Sequence, residues 1–183
     1  MTPEEFLEVF HREPHRPFLL EGEVNLIEAR LVELVEDQKK IVNEKREVAE
    51  QSGDNWHDGV FRATDNAATA LGNQANSLMV ARAGHVVAQP KENFQQVVIG
   101  STVEVKHGRD RYVLFIVGQA TLYPHADEVD ICSVNSPIAQ ALVGHVVGDS
   151  VEVQVAGRQQ VLEIVEVKQT VPGILKALLK SGN

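Results

Sequence analysis

Residues 131–151, ICSVNSPIAQALVGHVVGDSV, decide the fold that we predict for this chain. The run Ile-Cys-Ser-Val at 131–134 predicts a buried strand, and the Ser136-Pro137 pair after it predicts a turn. A short helix over 139–143, a loop over 144–149 and the start of another strand follow. A short helix between two strands is typical of a sheet covered on one face by a helix.

The composition is that of a globular protein, with 43% hydrophobic and 23% charged residues. Its 183 residues suffice for one ordinary domain or two small ones. The formal net charge of -9 argues against a general nucleic-acid binder, which usually presents a basic face. A negative net charge is still compatible with local basic patches.

The cysteine content and the N-terminal sequence indicate the cellular compartment that we expect. Cys132 is the only cysteine, so there is no disulfide framework, which favours a reducing, cytoplasmic setting. Residues 1–5, MTPEE, lack the layout of a signal peptide, and no apolar run reaches the length of a membrane span. The seven histidines are scattered without ligand spacing, so we expect no histidine metal site.

The hydrophobic spacing before Pro90 is helical. Residues 3–12 predict a short helix capped by Thr2. Two longer helices are predicted over 23–51 and 60–83, each with a seam at heptad spacing. The first seam comprises Ile27, Leu31, Leu34, Gln38, Ile41, Lys45 and Val48, and the second comprises Val60, Thr64, Ala67, Leu71, Gln74, Leu78 and Ala81.

Two arrangements of these helices fit the pattern. Only two of every seven positions are apolar, which favours a free-standing antiparallel coiled coil over a hairpin that belongs to a larger bundle. The turn formers at 51–59, QSGDNWHDG, separate the helices by a short connection. This connection is the tip of the predicted hairpin.

After Pro90, short Val/Ile-rich runs alternate with turn residues. They predict strands over 97–106, 111–118, 129–134, 150–156 and 160–168. Residues 106–110 predict a hairpin turn, and the strand over 111–118 is apolar on both faces, so we expect it to be central. The predicted class is α+β.

The predicted domain organisation has three parts. A helical region over 1–89 contains the coiled coil, with its tip at about 52–59. A sheet domain covers 90–170, and a tail over 171–183 includes an amphipathic helix at 172–180.

The stretch 131–151 resembles the C-terminal domain of GreA/GreB-type transcript cleavage factors. The family pattern is Ile-Ser-Val-x-Ser-Pro-Ile-(Ala/Gly)-x-(Ala/Gly)-Leu-(Leu/Ile)-Gly, followed by Gly-Asp-x-Val. The strands over 96–105, 112–118 and 161–167 are also similar to strands of that domain. The resemblance covers about residues 20–168. It implies an antiparallel two-helix coiled coil followed by an FKBP-like antiparallel sheet domain with a covering helix.

The resemblance also implies a partner. In this family the coiled coil enters the secondary channel of bacterial RNA polymerase, where carboxylates at the tip help to hold a Mg²⁺ ion. The polymerase's own active site then cleaves backtracked RNA. The resemblance therefore implies a monomeric cytoplasmic factor that meets RNA polymerase and the nascent RNA 3′ end, with no membrane partner. It implies no enzyme activity in isolation and no cofactor beyond the Mg²⁺ of the polymerase.

The tip departs from the family pattern, which reads Gly-Asp, two variable residues, then Glu-Asn-Ala-x-Tyr. Gly53-Asp54 matches the Gly-Asp pair, and Phe61 falls on the tyrosine. His57 falls on the glutamate and is a poor Mg²⁺ ligand, so the second carboxylate is lost or has moved to Asp58. Asp54 and Asp58 are the expected catalytic and metal-binding pair.

Both aspartates also have a structural interpretation, because Asp is common in turns and Asp58 is placed to cap the second helix. Trp56, the only tryptophan, is more typical of a partner contact, with packing against the helices as the alternative. The expected partner contacts are Trp56, His57, Phe61, Ser136 and Pro137. The basic residues Lys39, Lys40, Lys45 and Arg46 alternate with acidic ones, which favours an ion-paired surface over an RNA-binding patch.

Three functions fit the sequence. The first is the cleavage factor, and the second is an inhibitor or modulator that occupies the channel without cleavage, which the altered tip favours. The third is a peptide-binding or prolyl isomerase module with the coiled coil as a dimerisation arm. That module needs an aromatic-lined pocket, and the aromatic residues after Pro90 are only Phe94, Tyr112, Phe115 and Tyr123. The absence of a Gly-x-Ser-x-Gly motif argues against a hydrolase.

Overall fold

A computed structural model describes residues 1–51, 58–91, 93–123, 125 and 127–169, and only the backbone of 48–51 and 58–61. The chain forms two compact units, which we call the sheet unit (Met1–Val24 with Ala83–Asn183) and the hairpin unit (Asn25–Arg82). Within the described ranges, no helix combines the length and the apolarity that crossing a membrane requires.

The helices are α1 (Pro3–Arg12), α2 (Glu21–Gln51), α3 (Asp58–Arg82) and α4 (Pro137–Leu142). The strands are β1 (Phe18–Leu20), β2 (His85–Val87), β3 (Thr102–His107), β4 (Asp110–Val117), β5 (Asp130–Ser133), β6 (Ser150–Val155) and β7 (Arg158–Lys168). A 3₁₀ turn, Ala120–Leu122, follows β4. The α+β prediction is confirmed, while the helix predicted over 172–180 lies outside the described residues.

The helix α1 begins where the sequence predicts, at a capping box. The Thr2 hydroxyl accepts the backbone N–H of Glu5 at 3.2 Å, and the Glu5 carboxylate accepts the N–H of Thr2 at 2.8 Å. Phe6 and Phe10 lie on the buried face of the helix and belong to the core of the sheet unit.

The first 24 residues belong to the sheet unit, whereas the sequence placed them in a helical region over 1–89. The rings of Phe6 and Phe10 lie 5.0 and 6.0 Å from that of Phe18 in β1. β1 pairs in parallel with β2, so the segments before α2 and after α3 lie side by side. Periodicity does not reveal this pairing, because two three-residue strands carry no measurable period.

The hairpin unit consists of the antiparallel pair α2 and α3. Two ion pairs between the helices show that they run in opposite directions, Arg82 with Glu28 at 3.1 Å and Lys45 with Asp65 at 2.5 Å. The 31 residues of α2 give it a length of about 45 Å. The predicted antiparallel hairpin of two long helices is therefore present.

The seams are partly as predicted. On α2, Ile27 and Leu34 are buried, whereas the predicted polar interruption Gln38 is exposed. On α3, Ala67 and Gln74 are exposed, and Ala68 and Ala75 are half-buried in their place. The predicted and observed α3 seams are both built from steps of three and four residues and share Thr64, Leu71, Leu78 and Ala81, so spacing alone does not separate them.

The five strands of the main sheet, among the described residues, have the order β5-β4-β3-β7-β6. β4 is an interior strand, as predicted. The sheet is mixed rather than antiparallel, because β5 pairs in parallel with β4, with Phe115 opposite Ile131. Because β4 and β5 are parallel neighbours, the connection between them returns to the end of the sheet at which β4 begins. The hydrophobic pattern of a strand shows which of its faces is buried, but not the direction in which the strand runs.

A buried carboxylate joins the first turn of α2 to the end of β4. One Glu23 carboxylate oxygen accepts the N–H of Leu20 at 2.8 Å and that of Gly118 at 3.1 Å. The other oxygen accepts the N–H of Gln119 at 2.8 Å, and the Tyr123 hydroxyl also bonds to Glu23. Glu23 is fully buried, and burial raises the pKa of its carboxyl while the backbone donors oppose that rise.

Gly118 is the residue that lets this carboxylate approach the backbone. A Cβ atom at this position would overlap the Phe18 carbonyl oxygen and lie 2.6 Å from a Glu23 carboxylate oxygen. We expect Gly118→Ala to lower the free energy of unfolding by about 1–3 kcal/mol or more, because backbone atoms must move. Denaturant unfolding measures the change.

The matched control is Gly72→Ala in the middle of α3, where a Cβ atom meets nothing within 4 Å. It should raise stability by about 0.5–1 kcal/mol, because alanine favours a helix over glycine. Equal effects of the two substitutions would contradict the packing at Gly118.

The burial of α1 predicts that the N-terminal segment is part of the sheet unit's core. Phe10→Ala should lower the free energy of unfolding by about 3–5 kcal/mol, because it leaves a cavity beside Phe6 and Phe18. Glu8→Ala, an exposed position on the same helix, should change it by less than about 0.5 kcal/mol. A thermal melt in which both variants match the wild type would show that α1 does not pack as described.

Candidate functional site

The predicted tip lies between the ends of α2 and α3. Asp54, Trp56 and His57 fall outside the described residues, so their predicted roles stay predictions. Asp58 is the first residue of α3, and Phe61 lies in its first turn. A carboxylate in a first turn also stabilises a helix, so the structural interpretation of Asp58 remains open.

Several basic residues of α2 near the tip form ion pairs or other polar contacts. Lys45 of α2 bonds to Asp65 of α3, and Lys40 lies 3.7 Å from Asp37 on its own helix. Arg46 also has a partner. These contacts support the predicted ion-paired surface along α2.

The Ser136-Pro137 turn connects β5 to α4 and is held by backbone hydrogen bonds. The Ser136 N–H donates to the Ser133 carbonyl at 2.8 Å, and Val134 donates to the Val117 carbonyl at 2.7 Å. Pro137 is the first residue of α4, as its fixed φ favours. The sequence therefore predicted this turn and its helix correctly.

The two residues of the turn differ in what they offer a partner. The half-buried Ser136 accepts the N–H of Ala139 at 3.2 Å and lies 3.0 Å from the Cys132 sulfur. Burial raises the pKa of the Cys132 thiol, which makes it a poor nucleophile. Ser136 is thus occupied as the α4 cap, while Pro137 is exposed. A partner that meets this turn has access to the Pro137 ring.

Two further observations concern metal binding and peptide binding. Among the described residues, no group of three or more His, Cys, Asp or Glu side chains is placed to hold a metal ion. The aromatic residues Phe115 and Tyr123 pack on each other edge to face, with ring centroids 5.9 Å apart. Phe115 is buried, and Tyr123 packs partly buried against the core with its hydroxyl bonded to Glu23, so both rings contribute to packing.

The family indicated by the sequence motif is also the one that comparison with known proteins identifies. The family "Transcription elongation factor, GreA/GreB, C-term" matches residues 90–169. Transcription elongation factor GreA of Geobacillus kaustophilus is 30% identical over 160 residues, which are 85% of this chain and 98% of that protein. The chain belongs to the GreA/GreB family.

Other members of the GreA/GreB family match over a similar length. Transcription elongation factor GreA of Bacillus anthracis is 29% identical over 155 residues, 83% of this chain and 96% of that protein. The crystal structure of GreA factor homolog 1 of Thermus thermophilus is 19% identical, with 84% of this chain and 99% of that chain covered. Its TM-score with this chain is 0.38.

The structure predicts a stabilising role for Ser136. Ser136→Ala should lower the free energy of unfolding by about 0.5–2 kcal/mol, because the first turn of α4 loses its cap. Ser136→Asp keeps an acceptor and should restore most of the loss in a thermal melt. Asn135→Ala, at the exposed neighbouring position, serves as the control. If the Asn135 variant is destabilised as much as Ser136→Ala, the effect belongs to the turn and not to the cap.

Proposed function

We propose that this protein is a transcription elongation factor that enters the secondary channel of bacterial RNA polymerase and stimulates cleavage of backtracked nascent RNA. The observation that carries the proposal is the pair of long antiparallel helices, α2 and α3, whose connection contains Gly53-Asp54. Membership of the GreA/GreB family supports it. The factor acts in the cytoplasm as a monomer, and its partners are the polymerase and the RNA 3′ end.

The hairpin suits insertion into a narrow channel. Ion pairs join α2 and α3 in the hairpin unit, and α2 alone is about 45 Å long. The cross-helix ion pairs of Lys45 with Asp65 and of Arg82 with Glu28 lie 17 residues apart on each helix, so one antiparallel register extends over most of the described pair. A rigid pair of helices loses little entropy on insertion.

The tip carboxylates are suited to a shared Mg²⁺ ion. Asp54 and Asp58 supply hard oxygen ligands, which Mg²⁺ prefers, and few protein carboxylates suffice when the polymerase supplies the rest. A bound Mg²⁺ ion would supply stabilisation of the negative charge that develops when water cleaves the phosphodiester. Asp54 and Asp58 would hold this ion, and the polymerase would supply the rest of the catalytic centre, so we expect no endonuclease activity from the isolated protein.

The tip sequence favours a second candidate, a channel-binding inhibitor or modulator without cleavage activity. His57 occupies the position of the family glutamate, and an imidazole nitrogen is a softer ligand than a carboxylate. If Asp58 does not replace that glutamate, the hairpin fills the channel without completing the metal site. The peptide-binding alternative loses support, because Phe115 and Tyr123 are engaged in packing and in the bond to Glu23.

The test measures cleavage in a backtracked elongation complex of bacterial RNA polymerase at neutral pH with Mg²⁺. The wild type should accelerate cleavage, and Asp54→Ala with Asp58→Ala should reduce this stimulation about 100-fold or more, because several kcal/mol of charge stabilisation is lost. The double variant should still compete with the wild type for the channel. Glu44→Ala, an exposed acidic position on α2, should behave as the wild type.

His57→Glu separates the two candidates. In an inhibitor, this substitution restores the family carboxylate and should create cleavage activity that the wild type lacks. In a cleavage factor that uses Asp58, it should leave the wild-type rate within about threefold, because the site is already complete. Binding by the wild type without acceleration would overturn the cleavage proposal.

A further inference from the structure

The loop over 144–149 presents two aliphatic side chains to solvent. Val146 and Val147 in this loop are 38% and 49% exposed, and we call them the valine pair. The sequence showed them only as part of a loop between glycines. Covering an exposed valine with another apolar group is favourable, because apolar surface leaves water.

Hydrogen bonds at both ends and at the centre hold this loop. Val97 exchanges two backbone hydrogen bonds with residues 144 and 145, both at 2.8 Å. Ile164 exchanges two with residues 148 and 149, at 2.8 and 2.9 Å. The Asp149 carboxylate accepts the backbone N–H of Val146 at 3.0 Å. The valine pair is therefore exposed in a preorganised conformation, and a segment that buries it has only itself to order.

The last described residue, Gln169, lies beside the loop. It is buried, and its side-chain amide donates to the carbonyls of Phe94 at 2.7 Å and Gln96 at 3.1 Å. The next residue after Gln96 is Val97, whose backbone N–H donates to the carbonyl of His145. Two consecutive hydrogen-bonded steps thus connect Gln169 to the residue just before the valine pair.

Residues 170–183, TVPGILKALLKSGN, follow Gln169 directly, and we call them the tail. The predicted helix over 172–180 has one aliphatic face, which comprises Ile174, Leu175, Leu178 and Leu179. The family match ends at residue 169, so the tail is an addition to the GreA/GreB domain. An amphipathic helix of this length is stable only when its apolar face packs on another surface.

The tail is long enough to bring its aliphatic face onto the valine pair. The five residue steps from Gln169 to Ile174 span up to about 17 Å when extended. Leu178 follows about 6 Å further along a helix. Because Gln169 lies two hydrogen-bonded steps from the loop, this reach includes the valine pair.

Charge favours the same contact. Residues 112–157, which contain the loop, have no lysine or arginine and five acidic residues, Asp127, Glu128, Asp130, Asp149 and Glu152. The tail has two lysines, Lys176 and Lys180, and no acidic residue. Opposite charges attract within a Debye length of about 8 Å at physiological ionic strength, so the lysines favour the approach of the tail to this part of the sheet unit.

We propose that the tail docks across the loop over 144–149 and buries the valine pair under its aliphatic face. The lysines of the tail remain in solvent near the acidic residues. The docked tail withholds the valine pair from other apolar surfaces, so a partner that uses these valines must first displace the tail. This contact is intramolecular and independent of the proposed function.

Limited digestion of the full chain by trypsin measures the docking, because a docked tail is protected from cleavage after Lys176. The synthetic peptide 170–183 gives the rate for an undocked tail, and the wild-type chain should be cleaved about tenfold or more slowly. In Val146→Ser with Val147→Ser the rate should rise about tenfold towards that of the peptide, since the apolar contacts are lost. The matched control Val161→Ser, at a valine of β7 that is 52% exposed, should match the wild type.

A disulfide locates the contact. Val147→Cys with Leu178→Cys, in a Cys132→Ser background, should form an intramolecular disulfide under mild oxidation, because the bond requires Cα atoms within about 7 Å. Val161→Cys with Leu178→Cys is the matched control and should form the bond about tenfold more slowly or not at all. Mass spectrometry of the digested protein identifies the joined peptides.

Two measurements separate a lost contact from a lost fold. Circular dichroism melts of every variant report on the fold. If the double serine variant melts at a lower temperature, Val147→Ser alone, at the more exposed position, should still raise the rate of cleavage after Lys176 about threefold.

Each outcome decides the proposal. A wild-type tail that is cleaved as fast as the peptide, or serine variants cleaved at the wild-type rate, would overturn the docked tail. Equal disulfide formation in the Val147 and Val161 pairs would overturn its location. A disulfide that joins two chains would place the tail on the loop of a second copy and overturn the intramolecular contact. None of these experiments contains the polymerase, so the proposed function stands or fails separately.

Discussion

The buried carboxylate of Glu23 is the constraint on which the connection between helix and sheet depends. Removing a carboxylate from water costs several kcal/mol unless hydrogen bonds replace the water. Here the backbone N–H groups of Leu20, Gly118 and Gln119 and the Tyr123 hydroxyl replace it. The bond from Leu20 is half of a capping box for α2. The Glu23 side chain thus caps the first turn of α2 and also binds the backbone just after β4.

This constraint explains why the N-terminal segment belongs with the sheet. Phe18 provides the carbonyl that excludes a side chain at Gly118, and its ring packs against Phe6 and Phe10 of α1. The parallel pairing of β1 with β2 brings the segment just before α2 next to the segment just after α3. Along the chain, the hairpin unit therefore lies between two strands that pair with each other in the sheet unit.

The two units are each held together by different physical means. In the hairpin unit, ion pairs of Lys45 with Asp65 and of Arg82 with Glu28 join α2 to α3. In the sheet unit, backbone hydrogen bonds with Val97 and Ile164 hold the loop over 144–149 to the buried core.

The sequence by itself determined the α+β class, the capped α1, the two long helices, the turn at Ser136-Pro137 and the family, because periodicity and turn chemistry are local properties. It also named the tip residues and their departure from the family pattern at His57. The tertiary structure decided the parallel pairing of β5 with β4, the seam of α3, the burial of Glu23 and the place of residues 1–24 in the sheet unit. Each of these depends on contacts between residues far apart in the chain, which no local pattern encodes.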